Sequence, residues 1–76
     1  MTTMYTISEI NREFLIKVAG RDESNNKLNT LVGVSGLARV IGEKFATRFI
    51  DRAMESLEDV CTFKLRRGIK VSFYRH

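Results

Sequence analysis

Few side chains in this chain could run acid–base or nucleophilic chemistry, and they are scattered. Its single cysteine, Cys61, lies beside Val60, Thr62 and Phe63, a setting that suits a buried structural thiol. One cysteine allows no intramolecular disulfide and no multi-cysteine metal site. The one histidine is His76, where chain-end fraying works against a fixed catalytic geometry. Asp51 and Glu55 stand one helical turn apart, but Arg48 and Arg52 beside them make surface ion pairs the simpler expectation. No phosphate-loop glycine pattern is present. The sequence therefore predicts no enzyme, no cofactor and no metal.

The chemistry that is concentrated is anion binding, in "CTFKLRRGIKVSFYRH" at residues 61–76. Residues 1–34 hold four basic and four acidic side chains, and residues 35–59 hold four and five. Residues 60–76 hold Lys64, Arg66, Arg67, Lys70 and Arg75 with no acid, so the whole net charge of +4 arises there. "CTFKL" and "IKVSF" alternate around "RRG", a three-residue loop whose final glycine fits a type I turn followed by a left-handed residue. The resulting hairpin opposes Leu65 with Ile69, Phe63 with Val71 and Cys61 with Phe73 on one apolar face. The other face opposes Lys64 with Lys70, with Arg66 and Arg67 at the tip and Tyr74 further along. These five residues, Lys64, Arg66, Arg67, Lys70 and Tyr74, are the candidate nucleic-acid-binding set.

Directly opposed lysines cost some tenths of a kcal/mol. Two expectations account for them. Phosphates of DNA or RNA could relieve the repulsion, since arginine suits phosphate and β-ribbons can meet a groove. Alternatively, the cations guard a sheet edge against aggregation, in a protein-interaction or homodimerisation module. Strand 69–75 would then offer an outer edge to a second copy.

The elements that must position this hairpin are a small α+β set. Thr6 and Glu9 have capping-box spacing, and Ile7, Ile10, Phe14, Leu15 and Val18 recur at helical spacing, predicting a first helix over 7–19 closed by Gly20. A rival reading pairs "FLIKVAG" with "LNTLVGV" as a hairpin around "RDESNN". A short strand is expected near 30–34. From Ser35, an eligible N-cap, an apolar stripe of Leu37, Val40, Ile41, Phe45, Phe49, Ala53, Met54 and Leu57 predicts a long helix that either runs through Gly42 or breaks there. The expectation is two main helices packed on a sheet dominated by the C-terminal hairpin, in the order α-(β)-α-β-β.

That order, with Ala38 and Gly42 four apart, resembles a winged-helix arrangement, which implies a hairpin wing and a recognition helix carrying Glu43, Lys44, Thr47, Arg48, Asp51 and Glu55. "GVSG" at 33–36 is similar to the loop with which KH modules clamp a nucleic-acid backbone, although glycines at a strand-to-helix corner explain it more simply.

At 76 residues, 43% hydrophobic and 29% charged, the chain is one globular domain spanning 1–76 with a thin stability margin. No apolar run reaches the roughly 20 residues of a membrane helix, and no signal-peptide pattern opens the sequence. A reduced, cytoplasmic setting without a membrane partner is the expectation.

Overall fold

The computed structural model describes residues 6–21, 24–65 and 68–76. In chain order they form α1 (Ile7–Glu13), β1 (Phe14–Arg21), β2 (Lys27–Val32), α2 (Val34–Ile41), α3 (Glu43–Glu55), β3 (Val60–Lys64) and β4 (Lys70–Arg75). The strands make one antiparallel sheet in the order β2-β1-β4-β3. Three helices cover one of its faces, giving a two-layer α+β architecture.

The capping box forms as expected. The Glu9 N–H donates to Thr6 Oγ1 at 3.1 Å and the Thr6 N–H donates to the Glu9 carboxylate at 3.3 Å. The helix it starts is shorter than the expected 7–19 and ends at Glu13. From Phe14 onward burial alternates with period two, placing Phe14, Ile16 and Val18 inside and Leu15 outside. β-branched Ile16 and Val18 favour this extended state. The rival hairpin is thus the one that forms, with Ile16 opposite Val32 and Val18 opposite Thr30.

Two further expectations change with it. The order is α-β-β-α-α-β-β in place of α-(β)-α-β-β, and the winged-helix arrangement that rested on the shorter order lapses. Strand 69–75 is no open edge either, because β1 pairs along β4 from Phe14↔Arg75 to Ala19↔Lys70. β2 and β3 are the edges.

Gly20 does not close a helix but lies in β1 at φ +134°, where an added Cβ would stand 2.6 Å from the Gly68 carbonyl oxygen. The two hairpins touch at this point. The C-terminal hairpin has the expected register, including Cys61↔Phe73, Phe63↔Val71 and Lys64↔Lys70. Its turn ends at left-handed Gly68, φ +76°, whose N–H donates to the Leu65 carbonyl at 3.1 Å.

The long helix does break. Gly42, at φ +91°, donates its N–H to Ala38 O at 2.8 Å and accepts from the Ala46 N–H at 3.0 Å, ending α2 and starting α3. The break changes the phase of the apolar stripe. Leu37 stays buried in α2, but α3 buries Ala46, Phe49, Ile50 and Ala53, leaving Phe45 and Val40 exposed. Gly33, not Ser35, is the N-cap of α2.

The core joins these helix residues to Ile10 of α1 and to the inward residues of β1 and β4. Phe49 stacks on Phe63 with ring centroids 4.5 Å apart, and Phe73 meets both Phe14 and Phe63 edge-on.

Candidate nucleic-acid interface

Strand alternation puts the residues between the core positions onto the face that no helix covers. Across the sheet they form rows: Asn29–Ala19–Lys70–Lys64, then Leu31–Lys17–Ser72–Thr62, then Leu15–Tyr74–Val60. At the hairpin end, Arg21 opposes Lys27. None of these outward positions is acidic.

The open face therefore carries Lys17, Arg21, Lys27, Lys64 and Lys70, with two like-charged pairs directly opposed. Lys64 meets Lys70 on one hairpin and Arg21 meets Lys27 on the other. Each opposition is unfavourable by some tenths of a kcal/mol. Lys27, Lys64 and Lys70 are exposed, whereas Lys17 is half-buried, its stem lying along the sheet surface. Arg21 also donates from Nη1 to the Asn25 carbonyl at 3.0 Å, bracing its own turn. Thr62 Oγ1 and Ser72 Oγ lie 3.3 Å apart and share a hydrogen bond in the middle row.

Of the five candidate residues, Lys64 and Lys70 are brought together as expected. Tyr74 shares their face but lies four residues along β4, about 13 Å from Lys70 at the usual strand rise. Its neighbours across the sheet are Leu15 and Val60, so it belongs to an apolar row rather than to the cation cluster. Arg66 and Arg67 fall outside the described residues.

The fifth cation of the C-terminal stretch, Arg75, has a different task. It points inward and ion-pairs with Glu13 at the end of α1. Its Nη2 donates to Ser56 O at 2.7 Å and Ala53 O at 3.2 Å, and its guanidinium sits 4.9 Å over the Phe14 ring. A cation there satisfies the last carbonyls of α3 and complements the negative end of its dipole. Arg75 holds the fold together and is not offered to a ligand.

The "GVSG" corner is likewise used internally. The Val34 N–H at the start of α2 donates to Asn11 Oδ1 of α1 at 3.2 Å. Cys61 is half-buried, facing inward opposite Phe73. Among the described residues, no three His, Cys, Asp or Glu side chains cluster as metal ligands would. No described helix is long and apolar enough to cross a membrane.

Sequence reasoning missed Lys17, Arg21 and Lys27. A helix over 7–19 gives Lys17 no common face with Lys64 and Lys70, and it leaves Arg21 and Lys27 outside any strand. The period-two signal was present in Phe14, Ile16 and Val18 and could have found them.

No protein-family model, curated protein or solved structure matches this chain.

Proposed function

We propose that this is a non-catalytic nucleic-acid-binding domain that meets phosphates with the open face of its sheet. One observation carries the reading. Lys27 and Lys64 lie on edge strands, where lysine guards against strand addition, but Lys17 and Lys70 lie on the central strands β1 and β4. Central strands have no edge to guard. Edge protection thus accounts for half of the lysines, and a polyanion across the whole face accounts for all four. Phosphate oxygens would also relieve both like-charged oppositions. A reducing, cytoplasmic compartment suits the unpaired Cys61.

A protein partner is the second reading, favoured by the apolar row Leu15–Tyr74–Val60 and by Leu57, which is 99% exposed. A homodimer, if formed by strand addition, would use β2 or β3.

Fluorescence anisotropy with labelled oligonucleotides at increasing salt separates the two. Phosphate binding predicts affinity falling linearly in log–log form, with the slope reduced by about two in Lys64→Gln/Lys70→Gln. Absence of binding at low salt would remove the nucleic-acid reading and leave the apolar row as the surface to pursue.

A further inference from the structure

We infer that the ligand of the open face is duplex DNA, with the two opposed cation pairs set over the two backbones that border one major groove. This rests on the nucleic-acid reading above and narrows it. The opposed pairs Arg21/Lys27 and Lys64/Lys70 belong to neighbouring hairpins of one sheet. Their midpoints are two strand spacings apart across the sheet and two residues apart along it. At usual sheet dimensions that is about 12 Å. The major groove of B-form DNA is about 12 Å wide, so each pair can serve a different backbone at once.

The aromatic content of the described outward positions agrees with this. Single-strand binders lay successive bases on several aromatic rings. Among the described outward residues there is one ring, Tyr74, flanked by Leu15 and Val60 and remote from the cations. Duplex RNA fits poorly as well, because the backbones that border its deep, narrow major groove stand too close together to meet the two pairs.

The test compares three labelled 20-mers of one sequence, as duplex DNA, single-stranded DNA and duplex RNA, titrated with the full chain at one fixed salt concentration. Duplex DNA is expected to bind at least about tenfold more tightly than either alternative. Tyr74→Ala should leave the duplex affinity within about twofold, while Lys17→Gln/Lys70→Gln should weaken it about tenfold or more. Equal or tighter binding of single-stranded DNA or duplex RNA would overturn the duplex assignment while leaving nucleic-acid binding intact. A loss of more than tenfold in Tyr74→Ala would also overturn it, by showing stacking to be the main contact. No binding to any of the three would overturn both readings together.

Discussion

The two faces of one sheet obey opposite rules here, and β4 belongs to both. Its inward residues Val71 and Phe73 are fully buried, and Arg75 beside them finds a carboxylate, two carbonyls at the end of α3 and an aromatic ring. Its outward residue Lys70 stands opposite another lysine. Two cations five residues apart thus have different fates, decided by strand parity. Among the described residues no buried side-chain polar atom lacks a partner. The outward face instead holds two like-charged oppositions, Arg21 with Lys27 and Lys64 with Lys70. This contrast separates the part of the molecule that holds the fold from the part available to something else.

Substitutions can break the contrast, and the largest effect belongs inside. Phe73→Ala removes the ring that joins Phe14 to Phe63, and large-to-small aromatic changes in a core cost about 3–5 kcal/mol. In a domain this small that is most of the stability, so thermal denaturation followed by circular dichroism should lose its cooperative transition. Next comes Arg75→Met, which keeps much of the stem but loses the hydrogen bonds to Ala53, Ser56 and Glu13. A loss of about 3 kcal/mol is expected in urea unfolding, with nucleic-acid affinity of the folded protein unchanged. If affinity fell in step with Lys64→Gln, the division between the faces would be wrong.

Gly20→Ala should cost about 2 kcal/mol, because alanine meets both a positive φ and the Gly68 carbonyl at 2.6 Å. Gly42→Ala has the positive φ but open space around it, so its smaller cost measures the backbone contribution separately. The smallest effect on stability, and of opposite sign, belongs to the outward face. Lys64→Thr removes a like-charged opposition and should raise stability by some tenths of a kcal/mol while weakening binding. Stability lost there would mean that Lys64 has a structural partner.

How much of this was legible in the sequence varied with the strength of local signals. The C-terminal hairpin could be read to the residue, because a glycine-terminated turn and strict alternation specify one register. The capping box was equally clear. The first helix was overextended because Ile10, Phe14 and Val18 fit a helical period while Phe14, Ile16 and Val18 fit a strand period, and only pairing with β2 and β4 decides between them. That one error concealed half of the open face, since Lys17 and Arg21 share a surface with Lys70 only when β1 is extended. The break at Gly42 was visible as an option, but its effect on the helical phase was not. The inward role of Arg75 depends on where α3 ends, which no local pattern near residue 75 encodes.

The chain has five lysines, and this permits a direct test of the central claim. Lys17, Lys27, Lys64 and Lys70 lie on the open face, while Lys44 is exposed on α3 in the opposite layer. Acetylation of lysine amines by a small reagent, read by mass spectrometry with and without a saturating DNA duplex, reports all five at once. The account predicts that the four open-face lysines become protected together while Lys44 reacts at its original rate. Protection of Lys44 to the same degree, or unchanged reactivity at Lys17 and Lys70, would contradict it.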